Sequence, residues 1–345
     1  MIRELKLVDF RNFEAKKIFE LTEKNFIIWE NGKWKTNILE ALSLLGNNSI
    51  GNISIENLVK KSKNNFYIEY LDDQIGSVGI SFDAEKKKKN YRINGKNVTK
   101  KKFLEITYKC VIFSPQEMNL MYLSPSLRRE FLDKILINSY PEYSDALKEY
   151  KKITTSRNKF LKSIAEWKSK IEDLEFWNKS FINIAEKIYQ YRFPLSEYFA
   201  AHISTAREYF SGKVENIEFQ YISKVDKNNI AQDIKTYLDK NIQRDIILGK
   251  TAIWPHVDDF KIVADQIDIT QYASRGETKS VIIWLKMLET VFVEKRDNKK
   301  PILLIDDLMS ELDESHKQML TKKLKYYQTF ISSIEILEEK NNIML

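Results

Sequence analysis

Two short stretches of this 345-residue chain could handle a nucleotide phosphate. The first is Trp29-Glu30-Asn31-Gly32-Lys33-Trp34-Lys35-Thr36. Lys35 could reach β- and γ-phosphates, and the Thr36 hydroxyl could ligate Mg²⁺. Loop N–H groups and the N-terminus of a following helix would cradle the phosphate oxygens. The spacing for this chemistry is Gly, four residues, then Gly-Lys-Ser/Thr. Here both glycine positions are tryptophan, Trp29 and Trp34. Glycine lets the backbone approach the phosphates and adopt dihedrals closed to larger residues. An indole at 34 should fill the phosphate volume or force the loop open. Taken alone, the octapeptide reads equally well as an ordinary strand, turn and helix.

The second stretch is Ile302-Leu303-Leu304-Ile305-Asp306-Asp307. Four aliphatic residues followed by two carboxylates suit a Walker B strand. Asp306 would hold Mg²⁺ directly or through water. Asp307 would orient or polarise an attacking water and is the candidate catalytic residue. A buried strand with a polar exit has the same pattern. Leu308-Met309-Ser310-Glu311-Leu312-Asp313 follows at the spacing of the D-loop of ABC-type ATPases. A third stretch, Ser274-Arg275-Gly276-Glu277-Thr278-Lys279-Ser280, resembles the ABC signature. The Ser274 hydroxyl, the Gly276 N–H and a helix N-terminus together suit a γ-phosphate. A helix capped by Ser274 is the plain alternative. The three motifs in this order are far less expected by chance than any one.

Elements must place these residues. Asn25 to Ile28 reads as a short buried strand, and Asn37 to Leu45 has apolar residues at helical spacing. Residues 2–20 read as an antiparallel strand pair. Tyr67 to Tyr70 and Val78 to Phe82 are strand candidates, with Asn94-Gly95 as a hairpin turn. Lys86 to Lys89 reads first as a solvated loop tip. Val111 to Phe113 is a buried strand. From Ser126 to about Tyr209 the pattern is helical, and residues 141–195 suggest an antiparallel helical pair or short coiled coil. Phe219 to Tyr221, Phe260 to Val263 and Ile267 to Ile269 read as strands. Lys279 to Glu294 reads as a helix, Ile302 to Ile305 as a buried strand, Glu314 onward as the last helix, and Thr329 to Ile331 as a strand.

Hydrophobic content of 43% and charged content of 30% describe a folded globular chain. The net charge of +7 and pI near 9.0 permit an acidic partner, nucleic acid first. A Lys-rich solvated surface would account for the charge equally. One cysteine, Cys110, excludes an internal disulfide and a cysteine-cluster metal site. No signal peptide or apolar window of membrane-spanning length is visible, so a cytoplasmic protein with no membrane partner is expected.

Beyond these motifs the chain resembles the RecF family, the bacterial ABC-type recombination and repair proteins of the SMC-like superfamily, along nearly its whole length. The resemblance lies in Leu7-Val8-Asp9-Phe10-Arg11-Asn12-Phe13, Glu30-Asn31-Gly32 with Lys35 to Ala41, Phe113 to Glu117, Arg128-Arg129 with Phe131-Leu132-Asp133, and Pro255-His256 with Asp258-Asp259-Phe260. It implies an α/β fold, an ABC-ATPase (P-loop) head with an inserted helical or coiled-coil arm lobe. Residues 1–118 and 290–345 would form the nucleotide lobe, and 119–289 the arm and signature lobe. ATP with Mg²⁺ would contact Trp29, Glu30, Asn31, Gly32, Lys33, Trp34, Lys35, Thr36 and Asn37. Ser274 and Gly276 would contact ATP held by a second protomer, and Thr36 and Asp306 would hold the metal. The implied role is a weak DNA-dependent ATPase that dimerises with ATP on gapped DNA or single-strand/double-strand junctions. With RecO- and RecR-like mediators it would promote RecA loading. Departures are Thr278 where the family has Gln, Val257 where a basic residue is usual, Asn47-Asn48-Ser49-Ile50, and the C-terminus after Ser333.

Five of the six tryptophans, Trp29, Trp34, Trp167, Trp254 and Trp284, fall where this family has glycine or a small residue; Trp177 matches a family tryptophan. The chain has only 9 glycines, against average usage of about 7%. A UGA codon read as glycine in the cell but translated on paper as tryptophan would explain both. If the tryptophans are genuine, the alternative is a nucleotide-independent DNA-binding scaffold. An SMC-like chromosome-structural ATPase head is the third reading, but the insertion is too short for long arms.

Overall fold

Alternating burial along Ile2–Val8 and continuous burial along Ile302–Ile305 already distinguish two kinds of strand. The first faces water on one side; the second is covered on both. The computed structural model describes all residues except 14–15, 29–34, 47–53, 123, 210–213, 253–254, 334–341 and 345. The phosphate-loop expectation at Trp29 to Trp34, the position Trp254 and the segment Asn47 to Ile50 lie outside the described residues.

The chain forms two units, Met1–Met118 with Lys286–Leu345, and Asn119–Leu285. The first part of the first unit runs β1 (Ile2–Val8), β2 (Lys16–Glu20), β3 (Lys24–Ile28), α1 (Lys35–Ser43), β4 (Asn65–Asp72), β5 (Gly76–Asp83), β6 (Lys88–Ile93), β7 (Lys96–Val98), α2 (Lys100–Ile106) and β8 (Cys110–Phe113). The second unit runs α3 (Pro125–Ser139), α4 (Pro141–Ala165), α5 (Leu174–His202), β9 (Ile217–Ile222), α6 (Ile230–Leu248), β10 (Asp259–Ala264), β11 (Ile267–Asp268), α7 (Ile269–Tyr272) and the first half of α8 (Arg275–Asp297), as far as Leu285. The chain then returns through β12 (Ile302–Ile305), α9 (Glu314–Leu324), β13 (Thr329–Ser333) and β14 (Asn342–Met344).

In the first unit, an antiparallel sheet has the order β2-β1-β4-β5-β6-β7. Its buried face meets α1 through Ile38, Leu39 and Leu42, with Phe10 edge-on to Phe66 at 5.3 Å. A second sheet has the order β14-β3-β13-β12-β8, and every described pairing in it is parallel. Parallel strands bring their carboxyl ends to one edge, where ligands of open α/β sheets bind. That edge carries the exits of β3, β8, β12 and β13. Gly46, just after α1, sits against β8. A Cβ there would lie 2.6 Å from the Cys110 backbone nitrogen, so the close approach requires glycine.

In the second unit, α4 and α5 form the expected antiparallel pair, and α6 packs on both. A three-stranded sheet, β11-β10-β9, completes it. Three differences from the sequence reading stand out. Ile269 opens α7 instead of extending a strand, because Asp268 caps that helix through the Thr270 N–H. Helix α8 begins at Arg275, four residues before the apolar periodicity, because its first turn is polar. Helices α2 and α6 were not anticipated.

Candidate nucleotide site

The exit of β12 is built by three strands. The Asp306 N–H donates to the Phe113 carbonyl at 2.9 Å, which carries the β8–β12 ladder one residue past the strand. Asp307 then turns into the left-handed region at φ 47°, a conformation Asp tolerates better than most residues. From β13, Ser332 accepts the Asp307 N–H at 2.8 Å and donates its hydroxyl to Asp306 Oδ1 at 3.0 Å. One buried hydroxyl therefore fixes both acids. Sequence reasoning missed Ser332, which lies on a different strand from the acids it holds.

From the other side comes α1. Lys35 opens the helix with its side chain only 2% exposed, and its Nζ lies 3.5 Å from Asp307 Oδ1. Thr36 is half-buried next to it. Glu40, further along the same helix, is clasped by the Arg11 guanidinium at 2.7 Å from each of two nitrogens. Arg11 belongs to the Phe10-Arg11-Asn12-Phe13 segment, so that motif has a structural role the sequence did not disclose. Burial pushes the Asp306 carboxyl above its ordinary range. Repulsion from Asp307 and Glu40 adds to this, and Lys35 opposes it. Two adjacent carboxylates, Asp306 and Asp307, thus share one lysine at this edge. Such a place suits a divalent cation. No three His, Cys, Asp or Glu among the described residues converge as a self-sufficient metal cage. Mg²⁺ takes one or two carboxylates plus phosphate oxygens.

A buried ion cluster lies behind the site. Lys286 of α8 sits 3.2 Å from Glu117 and 2.5 Å from Glu289, and over the Phe113 ring at 5.5 Å. It ties α8 to the segment that follows β8. No local pattern in the sequence marks this triad.

Ser274 and Gly276 lie in the second unit, at the start of α8. Ser274 caps the helix reciprocally with Glu277. Its hydroxyl accepts the Glu277 N–H at 3.2 Å, and its own N–H and hydroxyl donate to the Glu277 carboxylate at 2.9 Å each. This is a capping box. Ser274 remains exposed and Gly276 half-buried. The structure therefore brings Lys35, Thr36, Asp306 and Asp307 to one place, and puts Ser274 and Gly276 together on a helix end of the other unit.

The profile of the RecF/RecN/SMC N-terminal domain matches residues 1–341. The chain belongs to this family, within it to the RecF proteins. A curated relative from Ruminiclostridium cellulolyticum, "DNA replication and repair protein RecF", is 30% identical over 342 residues, covering 96% of this chain and 92% of its own. A relative of the same name from Thermoanaerobacter sp. is 32% identical over 343 residues, covering 96% and 93%. The solved "recombination mediator protein RecF-ATPrS in RecFOR pathway" superposes with a TM-score of 0.89 at 28% identity, covering 100% of this chain and 96% of that one. The corresponding RecF-ATP structure gives 0.85 at 28% identity, covering 98% and 93%. The fold is accordingly α/β, that of an ABC-ATPase head.

Proposed function

We propose that this chain is an ATP-dependent DNA-binding protein of DNA replication and recombinational repair. One observation carries the proposal: Lys35 at the start of α1 and the acid pair Asp306-Asp307 converge at the carboxyl edge of a parallel sheet. Strand β13 separates the lysine's strand from the acids' strand and supplies Ser332 between them. The RecF relatives named for replication and repair, and those solved with ATP, support the reading.

In this mechanism Lys35 pairs with the β- and γ-phosphates, displacing Asp307 from its ammonium group. Thr36 and Asp306 would hold Mg²⁺, which when bound supplies charge neutralisation at the phosphate oxygens. Asp307, released from Lys35, accepts a hydrogen bond from the attacking water at its carboxylate. Ser274 and Gly276 of a second copy would close on the γ-phosphate, so ATP joins two protomers around DNA. Dimerisation, preference for gapped or junction DNA, cooperation with RecR- and RecO-like mediators and a cytoplasmic site belong to the same proposal. Among the described residues no helix is long and apolar enough to cross a membrane.

Titration calorimetry tests it. The Trp29→Gly/Trp34→Gly protein should bind ATP with Mg²⁺, and adding Lys35→Ala should weaken binding about ten- to a hundredfold, the loss of a charged contact. ATP affinity unchanged by Lys35→Ala would refute the site. A second reading, a nucleotide-independent DNA-binding scaffold, is favoured by the tryptophans as they stand at 29 and 34. It predicts no ATP binding by the natural protein.

A further inference from the structure

Helix α4 ends in a Schellman motif. The Trp167 N–H donates to the Ile164 carbonyl and the Lys168 N–H to the Ser163 carbonyl, both at 2.9 Å. This closure requires the residue after the cap to be left-handed, which is why glycine usually occupies it. Trp167 stands there at φ 59°. Its side chain is 95% exposed, so no packing holds the indole in place.

The same chain offers a direct comparison at the end of α6. There the Gly249 N–H donates to Ile246 at 3.1 Å, and the Lys250 N–H to Asp245 at 3.2 Å. Gly249 has φ 57°. The two motifs match bond for bond, with glycine in one and tryptophan in the other. Nine non-glycine residues among those described have positive φ; apart from Trp167 they are Asp, Asn, Lys, Arg or Gln. A bulky aromatic in this region is a genuine outlier. An exposed outlier with no contacts has nothing to offset its strain.

The phosphate-loop spacing independently asks for glycine at two more positions, 29 and 34. Both are again tryptophan. Not every tryptophan behaves this way. Trp284 is buried and donates its indole N–H to Thr205 Oγ1 at 2.8 Å, and Trp177 meets Phe176 edge-on. Neither contact points to glycine.

We propose that positions 29, 34 and 167 carry glycine in the protein as its own cell makes it, each encoded by a UGA codon that is read as glycine there and as tryptophan under another code. The claim at 29 and 34 rests on the nucleotide-site reading; the claim at 167 rests on helix geometry alone. The natural loop is then Gly-Glu-Asn-Gly-Lys-Gly-Lys-Thr, a full match to the phosphate-binding spacing.

The decisive measurement is the peptide mass of the protein purified from its own cells, together with codons 29, 34, 167 and 177. Glycine at 29, 34 and 167 from UGA, with tryptophan at 177 from UGG, is the expected result. Tryptophan at any of the first three overturns the proposal. In recombinant protein carrying this sequence, Trp167→Gly should raise the urea midpoint, favouring the folded state about fivefold. A lower midpoint would overturn the argument at 167. Neither result depends on ATP: glycine at all three positions in a protein that fails to bind nucleotide would leave this inference standing and remove the functional one.

Discussion

Ser332 is the residue on which the two acids depend. It gives its hydroxyl proton to Asp306 and takes the Asp307 N–H, so its loss would free the left-handed turn that aims Asp307. A hydrogen bond to a charged group is worth about 1.5–3 kcal/mol. In protein carrying glycine at 29 and 34, Ser332→Ala should lower kcat for ATP hydrolysis about tenfold or more. ATP affinity, set mainly by Lys35 and the loop, should move much less, and Ser332→Thr should restore most of the rate. Steady-state hydrolysis alongside calorimetry separates the two effects; an unchanged kcat in Ser332→Ala would show that the hydroxyl positions nothing. That Lys35 would meet the Asp306-Asp307 pair could be read from the sequence, because each sits inside a short pattern with its own chemistry. Ser332, Arg11 and Glu40 could not. Their partners lie 25 to 29 residues away, and ordinary residues gain their role only through the sheet.

At the scale of elements, the helical arm is pinned by a fully buried charge pair. Arg157 of α4 reaches Asp245 of α6 at 3.1 Å, with both side chains 0% exposed. It also donates to Asn178 of α5 at 2.9 Å and to Thr251 at 2.6 Å. Burial holds the Asp245 carboxyl above its usual range despite the arginine beside it. Removing one partner of such a pair strands the other charge and costs about 3–5 kcal/mol. Asp245→Ala should therefore lower the urea midpoint sharply, while Arg157→Met/Asp245→Leu should recover most of the loss. A double variant no more stable than Asp245→Ala would mean that the damage comes from something other than the unpaired arginine. The long helices α4 and α5 were legible because their periodicity runs over many turns. Helix α6 was not. Among its apolar residues only Ile234 and Leu238 are buried, and Ile247 at 81% and Leu248 at 51% exposure blur the stripe.

For the whole molecule, the order of phosphate loop, signature and acid pair along the chain was enough to name an ABC-type head from sequence. The signature-like stretch from Ser274 to Ser280 is the one local pattern that points to a second protomer; for DNA the sequence offers only charge. The net charge of +7 gives one handle. If DNA binding uses this charge, affinity for gapped DNA should fall about 10³–10⁵-fold between 50 and 200 mM salt for six to ten phosphate contacts. In the glycine-bearing protein, ATP should convert monomer to dimer in sedimentation, and Ser274→Arg should prevent this while leaving ATP binding intact. A salt-independent affinity, or the same dimer with and without ATP, would contradict the clamp.

The central parallel sheet has a consequence for how the protein is made. Among the described residues, strand β3, near the start of the chain, pairs in that sheet only with β13 and β14, near its end. Gln328 even bonds the backbone of Ile2 in both directions, across 326 residues. A ribosome adds about 5–20 residues per second. Tens of seconds therefore separate the emergence of Lys35 from that of Asp306. Through that interval Phe26 and Ile27 have no strand to pair with, and the inserted arm can fold first. The nascent chain thus spends most of its synthesis with an unpaired apolar strand. Its dependence on chaperones should be greatest while the arm is emerging and should end abruptly once β13 leaves the ribosome.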